Sequence, residues 1–177
     1  MKDKYSRIIH PLKPLYDENS KVLILGSFPS VKTREYGFFY GHKQNRFWKI
    51  MESLFETSLT RNIDERKYFL LGHHIALYDS IYACDIIGSS DASIKNVVPS
   101  DLKDVVEGSK ICKVFCNGGA SYKYYNMYHR ENLGIEAIQL PSTSPANARY
   151  SLDDLVKEWR IILKYINPVP NDTGYYT

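Results

Sequence analysis

The sequence predicts an α/β protein built on a parallel sheet with helices on both faces. Two observations predict it. Short apolar runs of strand length alternate along the chain with stretches of helical periodicity. The first of these runs is unbroken rather than alternating, as in a strand buried on both faces. No internal repeat, low-complexity tract or second compositional unit interrupts the pattern, so the 177 residues suit one domain. Its core is expected over about 21–166, with a loosely held tail at 167–177.

Taken in order, KVLILGS (21–27) is a β-branched-rich run ending in Gly26 and Ser27, as a buried strand would. GSFPS (26–30) turns the chain, and REYGFFYGH (34–42) reads as an aromatic loop. In the next stretch Phe47, Trp48, Ile50, Met51, Leu54 and Phe55 fall at helical spacing, so a helix is expected over about 44–56. Its entrance is crowded with His42, Lys43, Gln44, Asn45 and Arg46. Asn45 alone would cap a helix, and the other donors ask for a ligand. A second helix is expected over 63–71. HIALYDSIYAC (74–84) contains a strand, and DIIGSSDASIKN (85–96) reads as a polar loop.

DLKDVVEG (101–108) is a short helix stopped by Gly108, and KICKVFCNG (110–118) is the next strand. Residues 120–130 look helical, and GIEAIQLPS (134–142) is a final strand running into Pro141. Ser151 and Asp154 form a capping box that opens the last helix. Leu152, Leu155, Val156, Trp159, Leu163 and Ile166 mark that helix's buried face.

A net charge of +3 excludes binding driven by a global field and leaves room only for a local basic patch. No stretch reaches the length of a membrane-spanning helix, and the start MKDKYSRIIH lacks an apolar signal core, so a cytoplasmic protein is expected. Three cysteines, Cys84, Cys112 and Cys116, are few and odd in number and read as reduced thiols. Cys112 and Cys116 are expected to share the core face of one strand. Neither a metal nor another cofactor is called for.

Ligands of parallel sheets bind beyond the carboxyl ends of the strands. The segments there are GSFPS, residues 79–91, NGGAS (117–121) and PSTSPANARY (141–150), and topology directs them to one crevice. GSFPS lacks the glycine pattern and lysine of a phosphate loop. It is either a tight turn or the placement of Phe28 on a pocket floor, where a ring stacks on a planar ligand. Asn117 either makes an Asn-Gly turn or reads the edge of a base with both ends of its amide. PSTSPANARY carries hydroxyls but no nucleophile elbow, which argues against acyl transfer. His73 and His74 follow a helix whose C-terminal dipole they balance.

Together these segments resemble the uracil-DNA glycosylase superfamily. GHKQNRFWKIM (41–51) is similar to the His-Pro-x-Asn-Arg-Phe-Trp segment of mismatch-specific uracil glycosylases. GSFPS, YGHKQNRFW, IKN, NGG and LPSTSPANARYSLDDL, in that order, resemble the hypoxanthine-DNA glycosylase branch from about Lys21 to Trp159. The resemblance implies a three-layer α/β/α sandwich with a central, mostly parallel four-stranded sheet. It also implies a monomeric, monofunctional glycosylase that needs no cofactor and acts on damaged DNA, single- or double-stranded.

The resemblance gives residues roles as well. Asn45 becomes the catalytic amide, orienting water through its carbonyl oxygen. Gly26, Ser27, Phe28 and Asn117 bind the flipped base, with Phe28 stacking and Asn117 reading its edge. Ser142, Thr143 and Ser144 grip flanking phosphates, Asn147 and Arg149 contact DNA, and His42 and Arg46 support the site. Two departures stand out. Phe28 occupies the first-motif position where much of the superfamily has a water-activating acid or amide. Leu140-Pro141-Ser142 lacks the second-motif histidine of efficient uracil enzymes, which implies weak uracil excision.

Overall fold

The computed structural model describes residues 4–167. In chain order its strands are β1 (Ser6–Ile9), β2 (Val22–Gly26), β3 (Ile75–Asp79), β4 (Ile81–Ile86), β5 (Lys95–Pro99), β6 (Lys113–Asn117) and β7 (Ala137–Leu140). The helices are α1 (Val31–Tyr36), α2 (Phe47–Leu54), α3 (Ile63–Gly72), α4 (Lys103–Glu107), α5 (Gly119–Tyr128), α6 (Arg130–Leu133), α7 (Leu152–Trp159) and α8 (Ile162–Ile166). Four parallel strands form the expected central sheet in the order β3-β2-β6-β7, flanked by helices. Every residue of β2 and β3 is buried, which is why both runs are apolar without alternation. Register aligns Gly26 with Asp79 and Asn117 with Leu140, so four strand ends open on one edge.

The structure departs from the sequence expectations in several places. The run 74–84 holds two strands, not one. At Ser80 the chain leaves the parallel sheet and β4 joins an antiparallel three-stranded sheet, β1-β4-β5. Ser80 is fully buried; its N–H donates to Gly26 O at 2.9 Å and Ile81 N–H to Ser27 O at 3.1 Å, fixing the corner. The segment expected as an aromatic loop begins inside α1, which Ser30 caps through Thr33 N–H and Gly37 ends at φ 85. The last helix is two, α7 and α8, broken at residues 160–161, although the Ser151–Asp154 capping box is present. Residues 120–130 likewise divide at His129 into α5 and α6. Cys112 precedes β6 and is exposed, so only Cys116 of that pair faces the core. The expected loose tail lies outside the described residues from 168 onward.

Helix α2 begins at Phe47, where its apolar periodicity starts, and not at the expected 44, and its apolar face is buried beside the cleft. Phe47, Trp48, Ile50 and Met51 are all buried, each contributing roughly 1.5–3 kcal/mol by leaving water. The Phe47 ring lies between Tyr40, stacked at 4.2 Å, and Trp159, edge-on at 5.9 Å. Trp48 Nε1–H donates to Phe39 O at 3.2 Å and Trp159 Nε1–H to Pro141 O at 3.0 Å. The residues just before α2 and the loop after β7 are thus both fastened to packed aromatic side chains. Among the described residues no helix is long and apolar enough to cross a membrane.

Candidate active site

A cleft of about 520 Å³ opens at the carboxyl edge of the parallel sheet. Gly26, Ser27 and Phe28 from the end of β2, Asn117 from β6, His42 and Asn45 from the turn before α2, and Ser142–Ser144 after β7 all line it. With Asp79, Ser89 and Asp91 also in the lining, all four segments expected to converge meet here, joined by the turn before α2, which was not among them. Asn147 and Arg149 stand apart: they line a neighbouring groove with Gly118 and Gln139, which Ser142 and Ser144 also border.

Thr143 joins the two amides. Its Oγ1–H donates to Asn45 Oδ1 at 2.8 Å, and its Oγ1 accepts from Asn117 Nδ2 at 3.0 Å. Its backbone N–H donates to Asn117 Oδ1 at 3.0 Å. Thr143 is fully buried, so it is not free to grip a phosphate as the resemblance implied; its hydroxyl is an internal bridge. Asn117 keeps a second Nδ2 hydrogen, on an amide that neighbours the Tyr40 hydroxyl.

The bonding also fixes which end of Asn45 is available. Oδ1 accepts from Phe47 N–H at 2.9 Å as well as from Thr143, so both of its lone pairs are engaged. Water cannot be oriented by that oxygen without breaking one of these bonds, a correction to the expected geometry. Nδ2 makes no hydrogen bond among the described residues, and Asn45, half-buried in the cleft wall, presents it as a donor. Asn45 is therefore not the N-cap; it braces the start of α2 from one residue further out.

Arg46 supports the site from behind. Its guanidinium donates to the carbonyls of Ser144 at 3.0 Å, Asn147 at 2.8 Å and Tyr150, and its N–H donates to Thr143 O at 3.0 Å. Asn147 Nδ2 donates to Ser142 O at 2.9 Å, closing the loop on itself. His42 Nδ1 accepts Gln44 N–H at 3.1 Å, which leaves its ring hydrogen on Nε2. His73 and His74 lie elsewhere, with Nδ1 of each bonded to a carbonyl, of Phe69 and Asn19 respectively.

Three residues of this region were not singled out by the sequence: Tyr40, Asp79 and His10. Tyr40 adopts φ 55, and its hydroxyl is buried without a partner. Burial, reinforced by the charge of Asp79, drives that phenol well above its usual pKa, so it stays protonated and a donor. Asp79 lines the cleft and binds His10 Nε2 at 2.7 Å. A readable signal was there: Asp79 is an acid closing the wholly apolar run IALY at a strand's carboxyl end. Lys32 borders the cleft, its ammonium paired with Glu35 at 3.0 Å. Among the described residues no group of three or more His, Cys, Asp or Glu could hold a metal.

A parallel α/β domain thus holds an aromatic ring and two linked amides in a cleft at the carboxyl edge of its sheet, the place where ligands of such sheets bind. A family model of the Uracil DNA glycosylase superfamily matches residues 13–164, and the chain belongs to that superfamily. A hypoxanthine DNA glycosylase of Methanosarcina acetivorans is 31% identical over 150 residues, covering 84% of this chain and 94% of the relative. One from Methanosarcina barkeri is 34% identical over 143 residues, covering 77% and 86%. The fold is also that of a solution NMR structure from Methanosarcina acetivorans, described as a candidate uracil DNA glycosylase. That structure has a TM-score of 0.73 at 28% identity, with 90% of this chain and 99% of that one covered.

Proposed function

We propose that this protein is a monofunctional DNA glycosylase that hydrolyses the N-glycosidic bond of a deaminated base, hypoxanthine foremost, flipped out of DNA into the cleft. The observation that carries the reading is the Asn117–Thr143–Asn45 bridge beside Phe28 in a single cleft. The reaction passes through a sugar with oxocarbenium character and a departing anionic base, by analogy with glycoside hydrolysis. Asn45 Nδ2 donates either to the attacking water's oxygen or to the leaving base, held in place by the two bonds to its oxygen. Phe28 supplies a stacking surface, and the remaining Asn117 Nδ2 hydrogen donates to a carbonyl or ring nitrogen of the base. No imine chemistry is invoked: Lys32, the one lysine among the lining residues, stands exposed at the rim.

The test is single-turnover cleavage of labelled duplexes carrying deoxyinosine, deoxyuridine or deoxyxanthosine, with alkali to reveal abasic sites. Native protein is expected to cut deoxyinosine fastest. Asn45→Ala is expected to lose roughly 10²–10³ in rate, the scale of a lost stabilising donor. Binding to all three duplexes with no abasic product would replace this reading with a non-catalytic binder, for which Phe28 at the first-motif position would be the explanation.

A further inference from the structure

Asp79 sits at the floor of the cleft with its side chain only 6% exposed. His10, itself fully buried, fixes one of its oxygens: His10 Nδ1 accepts Leu12 N–H at 3.1 Å, so the ring hydrogen is on Nε2 and points at Asp79 Oδ2, 2.7 Å away. The imidazole cannot swing, because Tyr78 lies against it at 4.7 Å and Phe28 edge-on at 5.8 Å. The second oxygen, Oδ1, has no hydrogen-bond partner among the described residues. It passes so close to Gly26 that a Cβ built there would stand 2.3 Å from it, and 3.7 Å from the Tyr40 hydroxyl. An acceptor with nothing to accept and a phenol with nothing to donate to therefore lie side by side at the base of the cleft. Of the two, the Tyr40 hydroxyl is cut off from solvent, and an unfilled donor at that depth costs stability, so a ligand that supplies it an acceptor while donating to Asp79 Oδ1 is favoured.

We infer that Asp79 and Tyr40 together read the cyclic amide edge that deamination creates, Asp79 Oδ1 accepting from the ring N–H and the Tyr40 hydroxyl donating to the adjacent carbonyl. This rests on the glycosylase reading above. Hypoxanthine presents N1–H beside C6=O, and uracil presents N3–H beside C4=O. Their parents present the opposite: adenine has a bare N1 beside an amino group, and cytosine a bare N3 beside one. An acceptor next to a donor matches the deaminated base at both positions and opposes the parent at both. Depth assigns Asp79 to the base and not to the attacking water, because Asn45 and His42, which are half-buried, lie nearer solvent. Tyr40 holds its proton firmly under burial and the Asp79 charge, so it keeps its donor role at neutral pH.

The test compares single-turnover cleavage of duplexes carrying deoxyinosine with ones carrying deoxynebularine, which has a bare N1 and no C6 oxygen. Asp79→Asn keeps the size of the side chain and can still accept from His10, but turns an amino group toward the base. It is expected to reduce the preference for deoxyinosine roughly 10- to 150-fold, the range of a hydrogen bond to a charged group. Tyr40→Phe keeps the ring stacked on Phe47 and is expected to slow deoxyinosine roughly 2- to 13-fold, with deoxynebularine unaffected. An unchanged preference in Asp79→Asn with native thermal melting overturns the assignment. Should that variant fail to fold, equal slowing of both substrates by Tyr40→Phe, or of neither, overturns it instead. Native protein that cleaves deoxyinosine alongside these negative results leaves the glycosylase reading standing; native protein that cleaves no duplex removes both.

Discussion

Thr143→Val is the substitution that isolates the bridge between the two amides. Valine matches threonine in shape, and the backbone N–H bond to Asn117 Oδ1 survives. Two contacts vanish: the 2.8 Å bond to Asn45 Oδ1 and the 3.0 Å bond from Asn117 Nδ2. Because position 143 is fully buried, the abandoned Asn117 donor has no water to turn to, and stability should fall by about 1–3 kcal/mol. Asn45 retains only Phe47 N–H as a tether and can rotate about its amide axis. A displacement near 1 Å costs on the order of 10² in rate, so a loss of roughly 10- to 100-fold is expected. Single-turnover cleavage of deoxyinosine over a range of protein concentrations separates the maximal rate from half-saturation, and the loss should fall on the rate. Thr143→Ser, which restores the hydroxyl, should recover most of it. Native rate in Thr143→Val, or equal impairment in Thr143→Ser, would refute a role for the bridge in positioning Asn45.

Two further outcomes follow from the geometry. Asn45→Asp keeps both bonds to Oδ1 but replaces the donor nitrogen with an acceptor, so its deoxyinosine rate should fall as far as that of Asn45→Ala, roughly 10²–10³. A variant at or above native rate would show that position 45 acts by accepting from water. His129 is buried with Nε2–H donating to Ser80 O at 2.7 Å, and burial holds its pKa below the usual value. The unfolded chain therefore takes up a proton that the folded one refuses. The associated stability is fully present above about pH 6.5 and is lost as pH falls below it toward the depressed folded value. Melting temperature against pH should show that decline in native protein and a shallower one in His129→Gln; parallel curves would exclude His129 as its source.

How much of this was legible in the sequence depends on how each element earns its burial. The parallel strands were readable because β2 and β3 are wholly buried and carry apolar residues at nearly every position. The antiparallel sheet was not, since β1 and β5 are largely exposed on both sides and neither alternation nor an apolar run marks them. Helix α1 hid for the same reason, burying only Thr33. At the cleft, Asn45, Phe28 and Asn117 could be placed from short motifs, and the structure brings them to one edge. The use of Thr143 as a bridge could not, because a hydroxyl in a Ser/Thr-rich loop looks the same whether it faces solvent or another side chain. Asp79 and His10 sit 69 residues apart with nothing in their local sequences to pair them.

The Arg46 brace also has a consequence for how the protein is made. Its bonds to the loop carbonyls span 98, 101 and 104 residues, and the Asn45–Thr143 bond spans 98. Every tether that orients the amide from outside its own turn is therefore absent until the far end of the chain has been synthesised and β7 has joined the sheet. At 5–20 residues per second, about 5–20 s of translation separate the emergence of Asn45 from that of its partners. A nascent chain, or a proteolytic fragment ending before Ser142, carries the motif without the centre. Conversely, transient opening of that one loop in the mature protein would dismantle the centre while leaving the sheet intact. The competent state thus depends on contacts that span 98 to 104 residues and not on the core alone.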